Sequence, residues 1–476
     1  MLLEVRLAFN LNIFNLFGQA FSVVKNEPEI WINYSAGINH KFNLARSRTP
    51  RHLVGFLPRM AIFLRWLVKR IRFSNKRSTS RDSAVFVFAE TLNQWTSLKS
   101  SVAGFNDLSL GYDLYIDVSL LSVMDGGANK ESNISSFGFA ELVVGFALMV
   151  IRLPGLIAEL RQKDRELVGK RLNGFLTIYF WIPFFFVALR RLKPKIILCS
   201  NDHNSANRSL LAVANYLKIP TAYVQHASVS SRFHKLEFNY SFLDGKHAYD
   251  AYLECENNTH DAPDNNNRKR WVFLSGVKRP LTLTSIKGGD NDMVGIAFKE
   301  ADGISEVLQL SQYIVQTGRC VLLRYHPATS QSAINALNKF AKESGASVTL
   351  NSPYACPVNE YLGLIDTVVA SNSTMLLEAA MVNVKSIYYE FRPAVTPDYY
   401  GYVEKNIAFQ AGSPEAVVEL INGELYQTDS RIEAIQQYSH TYNTIWHNRE
   451  GSLVASHLKD ILDGKSPEAL WSSMRF

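Results

Sequence analysis

Cysteine is scarce in this 476-residue chain. The four cysteines are scattered, and no two have the close spacing of a zinc-ligand pair: Cys199, Cys255, Cys320 and Cys356. This pattern argues against a disulfide-stabilised scaffold and against a zinc module, and it fits a reducing compartment. A secretory signal is also missing, because Glu4 and Arg6 precede any apolar run and no small-residue cleavage site follows. We therefore expect a cytoplasmic protein.

Acidic residues are absent from residues 46–81, where Arg and Lys recur among aliphatic side chains and Trp66. A basic helix with an apolar face is suited to the surface of an anionic membrane. The alternative is a core helix whose basic residues are solvated. No nucleic-acid-binding motif accompanies the charge, so nucleic acid is not an expected partner. We predict that this segment attaches the protein peripherally to the inner face of the cell membrane.

Uninterrupted apolar runs long enough to cross a membrane are lacking as well. A spanning helix needs roughly 20 apolar residues. Residues 142–160 are interrupted by Arg152 and Pro154, and the intensely apolar residues 175–189 are too few and are followed by two arginines. We predict that both segments are core helices or membrane-facing helices rather than membrane spans.

The overall composition is that of a globular protein. Hydrophobic residues make up 47% of the chain, and its length suffices for two domains that each bury a full core. The net charge of +7 favours anionic partners such as phosphates, nucleotides or anionic lipids.

Short apolar runs rich in β-branched residues alternate with helical patterns in the second half of the chain. Residues 294–298, 321–327 and 367–370 are predicted to be buried strands, and amphipathic segments separate them. The first half repeats the pattern, with strands predicted at residues 84–89 and 195–200. This alternation predicts parallel sheets with helices on both faces, whose ligands bind at the carboxyl ends of the strands.

The chain is therefore predicted to belong to the α/β class, with two Rossmann-like domains facing across a cleft. Residues 1–82 are the basic amphipathic part of the first domain, and residues 83–256 are its Rossmann-like part. An asparagine-rich, loop-like stretch begins the predicted linker at residues 257–288. Residues 289–476 form the second Rossmann-like domain.

Hydroxyl side chains follow the strand at residues 367–370. Ser371, Ser373 and Thr374 precede the next helical run, and the free amides and hydroxyls at a helix start bind phosphate. Glu378 lies one turn beyond Thr374 on the same helical face, within reach of a ribose. The alternative is plain helix capping, which is a common use of hydroxyl residues. We predict that this cluster binds a nucleotide.

His326 and Pro327 end another predicted strand. An imidazole at this position can donate a hydrogen bond to a leaving phosphate, and charge that develops in the transition state strengthens the bond. Pro327 ends the strand, and Arg324 points the same way as His326 if the strand is regular. The alternative is a surface turn. We predict that Arg324 and His326 bind the phosphate of the nucleotide.

Titratable side chains also follow two predicted strands of the first domain. Asp202 and His203 follow one strand, and His226 follows the next. A histidine with a pKa near neutrality can remove a proton from a hydroxyl group, and a carboxylate can do the same or orient the imidazole. The alternative for each is a hydrogen-bonded buried side chain. We favour His226 as the general base, with Asp202 second and Asp244 third.

The order of these motifs resembles that of bacterial GT-B glycosyltransferases that build surface polysaccharides. The motifs are Gln-His, Asp-Gly, Arg-x-His-Pro and Ser-x-Ser-Thr-x-x-x-Glu-Ala, within about residues 195–390. They are similar to the His-Pro and Ser motifs of bacterial sialyltransferases, capsule polymerases and teichoic-acid glycerophosphotransferases. The resemblance implies that His326, Ser373 and Thr374 contact the phosphate of a donor nucleotide.

Three positions depart from the motifs of this family. Asn372 stands at the second position of the Ser-Ser pair, and Ala227 follows Gln-His where the related transferases often carry Gly. The acidic-acidic-Gly motif of sialyltransferases is present only as Leu243, Asp244 and Gly245. These departures leave the donor sugar and the general base open.

The resemblance implies transfer of a sugar from a nucleotide-activated donor, with a CMP-sugar favoured, to a growing glycan or lipid-linked acceptor. The product is then capsule, lipopolysaccharide or a related surface glycan, and the first domain binds the acceptor. No Asp-x-Asp triad follows a predicted strand, so we expect a metal-independent enzyme. No cofactor is expected, because the nucleotide-sugar is a substrate. The alternatives are a CDP-polyol phosphotransferase, a nucleotide-sugar epimerase and a catalytically inactive GT-B scaffold.

Overall fold

The structure of the chain is a computed structural model. The described residues are 2–26, 54–71, 83–120, 132–163, 165–201, 203–230, 233, 235–258, 270–278, 281, 293–394, 396–423 and 429–475. Asp202 and much of the predicted basic segment at residues 46–81 lie outside these ranges.

Eight strands form the sheet of the first domain: β1 (Val85–Ala89), β2 (Tyr112–Ile116), β3 (Asn133–Ile134), β4 (Ile196–Cys199), β5 (Thr221–Val224), β6 (Tyr240–Leu243), β7 (Trp271–Leu274) and β14 (Ser473–Arg475). Their order across the sheet is β14-β7-β6-β5-β4-β1-β2-β3. Seven strands are parallel, and β14 pairs with β7 in the antiparallel direction. The central strands are short and almost fully buried, which is typical of a parallel sheet that helices cover on both faces.

Among the described residues, seven helices belong to the first domain: α1 (Leu2–Asn26), α2 (Phe56–Ile71), α3 (Leu92–Asp107), α4 (Phe139–Lys163), α5 (Arg165–Leu192), α6 (Ser205–Leu217) and α7 (Lys246–Asn258). Most of α5 is apolar on all sides, and it forms the core of one layer. Trp181 and Phe185 of α5 contact Phe88 of β1, with ring centroids 5.7 and 5.2 Å apart. Side chains alternate across a strand, so Val85 and Val87 face the opposite layer, where α3 packs.

Six parallel strands form the sheet of the second domain, in the order β10-β9-β8-β11-β12-β13: β8 (Met293–Phe298), β9 (Cys320–Tyr325), β10 (Val348–Asn351), β11 (Thr367–Ala370), β12 (Lys385–Tyr389) and β13 (Phe409–Ala411). Five helices cover it: α8 (Ile304–Val315), α9 (Gln331–Glu343), α10 (Val358–Leu362), α11 (Met375–Met381) and α12 (Pro414–Asn422). The two sheets confirm the predicted fold class, an α/β chain with two Rossmann-like domains.

The C-terminal part of the chain crosses back to the first domain through α13 (Asp429–Tyr438) and α14 (Glu450–Leu462). Helix α14 packs on α3, and a Cβ atom at Gly451 would lie 2.3 Å from the carbonyl carbon of Ser100. Strand β14 then joins the first sheet. The predicted second domain ended at residue 476, so its C-terminal boundary is corrected here. An amphipathic pattern shows that α14 has an apolar face, but not which domain buries that face.

The predicted linker at residues 257–288 is also too long. Asn257 and Asn258 are the last residues of α7, and Trp271–Leu274 is strand β7 of the first sheet. All four side chains of β7 are buried. A run of four apolar residues is a weak local signal for a strand, and pairing with β6 is what fixes it in the fold. The first sheet therefore includes part of the predicted linker.

The two long apolar segments form helices that pack against each other, α4 and α5. By length and composition alone, two stretches among the described residues could cross a membrane: Phe139–Gln162 and Glu166–Leu192. In the second stretch, 83% of the most apolar part is buried inside the protein, so it is a core helix. The first is only 28% buried, so much of α4 faces outward.

Candidate functional site

A cavity of about 860 Å³ lies between the two domains. This volume falls within the range of small-molecule sites, about 300–1,000 Å³. The second domain contributes residues at or just after the carboxyl ends of β8, β9 and β11, together with a glutamate of α11: Lys299, Asp302, Arg324, His326, Ser371, Asn372, Ser373, Thr374 and Glu378. The first domain and the returning C-terminal segment contribute the opposite side: Asn93, Thr96, Lys99, Ala227, Asn448 and Arg449. All the predicted site residues of the second domain therefore meet in one cavity.

Hydroxyl pairs join the two domains beside this cavity. The hydroxyl oxygens of Ser228 and Tyr402 are 2.6 Å apart, and Ser230 donates to the hydroxyl of Tyr399 at 2.7 Å. The backbone amide of Tyr399 donates to the side-chain oxygen of Asn372 at 2.7 Å. Asn372 thus holds the loop that touches the first domain. Asn372, which replaces a serine of the family's Ser-Ser pair, therefore has a structural role.

Lys299 brings a positive charge to the second-domain wall of the cavity. Its ammonium group donates to the backbone carbonyl of Asn372 at 2.6 Å, and its amide donates to the Asp302 carboxylate at 2.7 Å. The same carboxylate accepts a hydrogen bond from Ser371 at 2.9 Å. Sequence reasoning missed Lys299, although a charged residue directly after β8 follows the same strand-end rule that found the other residues.

His326 is held in one tautomer by the backbone. The amide of Ala328 donates to Nδ1 of His326 at 3.1 Å, so the proton of the neutral ring lies on Nε2. The ring is exposed toward the cavity, yet desolvation by the surrounding protein lowers its pKa, and the charge of Lys299 lowers it further. His326 is therefore a neutral hydrogen-bond donor at neutral pH, which suits contact with a phosphate.

Arg324 lies in the wall of the cavity, and its guanidinium already has acceptors. The Nη1 atom donates to the side chain of Asn351 and, at 2.9 Å, to the carbonyl of Cys356. The guanidinium also lies over the ring of Tyr361, 5.0 Å from its centroid. These contacts brace β9 against the end of β10 and the loop that follows β10. The predicted phosphate contact of Arg324 stays a prediction, and Lys299 presents the better-placed cation.

The remaining predicted residues of the second domain are Ser373, Thr374 and Glu378, and one of them caps a helix. Ser373 accepts a hydrogen bond from the amide of Met375 at 3.3 Å, which is the capping role that was the alternative. Thr374 immediately precedes α11, and its side chain makes no capping bond. Glu378 is buried one turn further along and reaches the cavity wall.

The first domain brings the two predicted histidines together. The rings of His203 and His226 lie 5.6 Å apart between centroids, and the amide of His203 donates to Asn201 at 2.8 Å. The cavity is lined on this side by Ala227, the residue after His226. His226 itself is not among the residues that line the cavity, so its predicted role as the general base stays a prediction. Asp202 lies outside the described residues, so its predicted role stays a prediction.

Asp244 does not have the surroundings of a general base. Its carboxylate forms an ion pair with the fully buried ammonium group of Lys278 at 2.9 Å. Its backbone amide donates to Gln225, which ties the Gln-His and Asp-Gly motifs together. Removing either charge would leave the other one buried and unpaired, which is costly. Asp244 is a structural residue, and its third place among the predicted bases is corrected.

Glu90 is a candidate for proton transfer that the sequence analysis did not identify. It directly follows β1, and Leu92 and Asn93 of the same loop and helix line the cavity. Burial raises the pKa of Glu90 to about 7, and the negative charge of Asp117 adds to this effect. The signal was present in the sequence, because Glu90 follows a buried strand in the same way as the histidines.

No metal-binding cluster accompanies these groups in the part of the chain that the structure describes. There, no three His, Cys, Asp or Glu side chains are grouped so that they could hold a metal ion. The expectation of a metal-independent reaction stays a prediction.

Two Rossmann-like domains that face each other across a cleft define the GT-B fold. No protein-family model matches the chain, and no curated protein matches it significantly. A provisionally assigned UDP-N-acetylglucosamine 2-epimerase from Listeria monocytogenes has a similar structure. Its sequence identity is 10% and its TM-score 0.52, over 81% of this chain and 98% of that chain.

Two further solved structures have lower TM-scores. The UDP-GlcNAc 2-epimerase of Methanocaldococcus jannaschii has 14% identity and a TM-score of 0.48, over 79% of this chain and 99% of its own. CalG4, the calicheamicin glycosyltransferase, has 11% identity and a TM-score of 0.48, over 81% of this chain and 100% of its own. At 10% identity, the similarity with a TM-score of 0.52 shows the fold alone, and the activity has to be argued from the site.

Proposed function

We propose that the protein is a glycosyltransferase that moves a sugar from a nucleotide-activated donor to a growing surface glycan. The observation that carries the proposal is the meeting of Lys299, His326 and Thr374 on one wall of the cavity between the domains. A cation, a neutral N–H donor and a hydroxyl form a set that recognises a phosphate or diphosphate. The opposite wall belongs to the first domain and leaves room for an acceptor.

The chemistry of the leaving group follows from this wall. As the bond between the sugar and the phosphate breaks, negative charge grows on the phosphate oxygen. The Nε2–H of His326 and the ammonium of Lys299 are already oriented by Ala328 and Asn372, so they stabilise that charge without rearrangement. Glu378, one turn beyond Thr374, is the proposed ribose contact.

The acceptor side supplies the base. The attacking hydroxyl of the acceptor loses its proton as the new bond to the sugar forms, and the base must therefore face the cavity from the first domain. His226 is the proposed base, because it immediately precedes the lining residue Ala227 and its ring lies beside that of His203. Asp202 is the second candidate, as in the sequence analysis, and Glu90 is a further one, since its raised pKa suits proton transfer near neutral pH.

The donor is proposed to be a CMP-sugar, on the strength of the motif resemblance to sialyltransferases. The acceptor is proposed to be a glycan of capsule or lipopolysaccharide type, or its lipid-linked precursor, at the cytoplasmic side of the cell membrane. A CDP-polyol donor would use the same phosphate-binding wall. The full chain is incubated with a glycan acceptor and, in separate reactions, with CMP-sugars or with CDP-polyols. Chromatography that measures the released CMP shows which of the two donors is used.

A nucleotide-sugar epimerase is the second candidate function. The structure with a TM-score of 0.52 is a provisionally assigned UDP-N-acetylglucosamine 2-epimerase, so the same fold accommodates that reaction. An epimerase changes its nucleotide-sugar without an acceptor, whereas a transferase releases nucleotide only when an acceptor receives the sugar. Proton NMR of UDP-N-acetylglucosamine incubated with the full chain alone distinguishes them. We expect no isomer to form, and its formation would replace the transferase proposal.

A further inference from the structure

An outward-facing apolar stripe runs along α4. Its members follow the spacing of one helical face and are 38–70% exposed: Phe139, Val143, Phe146, Val150 and Ile151. The one charged residue between them, Glu141, is buried, and Arg152, directly after the stripe, is only partly exposed. A continuous exposed stripe of large apolar side chains marks an interaction surface rather than ordinary surface.

Helix α2 presents a second stripe of the same kind, with basic residues beside it. Leu57 is 77% exposed, and Leu64 and Val68 continue the same face two and three turns further on. Arg65 and Lys69 are exposed next to this stripe. The helix contains no acidic residue. It therefore combines apolar area with unopposed positive charge.

The two stripes lie side by side because both helices pack on the same part of α5. The ring of Phe180 in α5 lies 5.6 Å from Phe63 of α2 and 5.1 Å from Phe146 of α4. Trp66 of α2 also contacts Phe137, just before α4, at 5.6 Å. Helices α2 and α4 therefore both lie over the same part of α5.

We propose that α2 and α4 together form a membrane-binding surface that lies in the interface of a bilayer containing anionic lipid. An apolar face bordered by basic residues is the composition of helices that lie in a membrane interface. A second copy of the chain fits less well, because a twofold contact would bring the basic α2 helices of both copies together. The inner residues Val144 and Leu148 of α4 belong to the core, so the helix lies along the membrane rather than across it.

The surface is also connected to the carboxyl edge of the first sheet. Arg70 in the last turn of α2 forms a buried ion pair with Asp117, which follows β2. Glu90, which follows β1, lies close enough to Asp117 and Arg70 for their charges to act on its pKa. The carboxyl ends of β1 and β2 therefore lie near the proposed membrane surface, and Leu92 and Asn93, shortly after β1, line the cavity. This location suits an acceptor that remains attached to a lipid.

The inference is tested with the full chain and two kinds of vesicle, phosphatidylcholine alone and phosphatidylcholine with phosphatidylglycerol. Val150→Ser combined with Ile151→Ser should weaken sedimentation with the mixed vesicles by about tenfold or more, because apolar contact is lost. Ile445→Ser, in an exposed residue of the C-terminal segment, is the matched control and should bind like the wild type. Equal binding by the wild type and by the double variant would overturn the proposal.

The electrostatic part is tested separately. Arg65→Gln combined with Lys69→Gln should weaken binding to the mixed vesicles by about tenfold, because each basic residue near an anionic surface contributes. Lys339→Gln combined with Lys342→Gln on α9 of the second domain is the control with the same charge change. Equal losses in both pairs would overturn the assignment of this surface.

A last measurement decides between the membrane and a second copy of the chain. We expect analytical ultracentrifugation to give the same mass for the wild type and for the variant with Val150→Ser and Ile151→Ser. If the wild type is a dimer that these substitutions dissociate, and it does not sediment with vesicles, the surface is a subunit interface. Either result is independent of nucleotide turnover, so it does not depend on the proposed reaction.

Discussion

The ammonium group of Lys299 lies 2.6 Å from the backbone carbonyl oxygen of Asn372. Lys299 follows β8 and Asn372 follows the neighbouring strand β11, so this contact fastens together two loops at the carboxyl edge of the second sheet. It also holds the cation next to Ser373 and Thr374. The proposed phosphate site therefore has a fixed positive charge before any ligand enters.

Lys299→Met should weaken nucleotide binding by about 10- to 100-fold. A hydrogen bond to a charged group contributes about 1.5–3 kcal/mol, and the methionine keeps the length of the side chain without its charge. Isothermal titration calorimetry on the full chain measures the effect. Lys342→Met, at an exposed position of α9, is the control and should bind as the wild type does. A Lys299→Met protein with unchanged affinity would remove the lysine from the site.

His326→Ala should lower kcat by about 10²–10³-fold, the typical effect of removing one preorganised donor to a developing charge. His326→Gln is the informative companion, because its amide can donate a hydrogen bond from a similar position. We expect it to recover part of the lost rate, while the melting temperature of both variants stays near that of the wild type. Full activity of His326→Ala would exclude the residue from leaving-group stabilisation.

The strand ends of the second domain were predictable because buried parallel strands appear in sequence as short apolar runs. Arg324, His326, Ser371 and Thr374 were found in this way, and all four line the cavity. Lys299 was missed, although it directly follows β8 and is itself followed by Glu300.

Other features depend on contacts that are distant in sequence. The ion pair of Asp244 with Lys278 joins the segments that follow the neighbouring strands β6 and β7, and no local pattern signals it. Gly451 and Ser100 pack against each other but are separated in sequence by most of the chain, so the return of α14 to the first domain was not predictable. Residue pairs of this kind are fixed by tertiary structure rather than by local propensity.

His226→Ala should abolish the acidic limb of the pH–rate profile and lower the rate by about 10²–10⁴-fold. The limb exists because a base acts only when deprotonated, so the rate rises as pH passes its pKa. Nucleotide affinity should be retained, since the residue lies in the first domain. If His226→Ala keeps its rate and Glu90→Gln or Asp202→Asn is inactive, the base is that carboxylate.

Glu90 should make stability depend on pH. The pKa of Glu90 is raised from its ordinary value of 4.5 to about 7 in the folded chain, mainly by burial. The folded state therefore holds this proton more tightly than the unfolded state, and the stability that results is lost as pH rises from about 4.5 through about 7.

Glu90→Gln stays neutral across this range. Its melting temperature relative to the wild type should therefore increase as pH rises through the same window, as differential scanning calorimetry can show. Glu343→Gln at an exposed position is the control, and its difference from the wild type should change little with pH. A constant difference for Glu90→Gln would mean that Glu90 is ionised in the folded chain well below neutral pH.

The central claim is that the cavity wall with Lys299, His326 and Thr374 binds the phosphate of a nucleotide. The most direct test is the melting temperature of the full chain with CMP, CDP, UDP and GDP, beside a variant with Lys299→Met and His326→Ala. A ligand at about 100 times its Kd stabilises the native state by about 2.7 kcal/mol. We predict that a cytidine nucleotide raises the melting temperature of the wild type and leaves that of the variant unchanged. If none of the four nucleotides stabilises the wild type, or if the variant is stabilised equally, the account is contradicted.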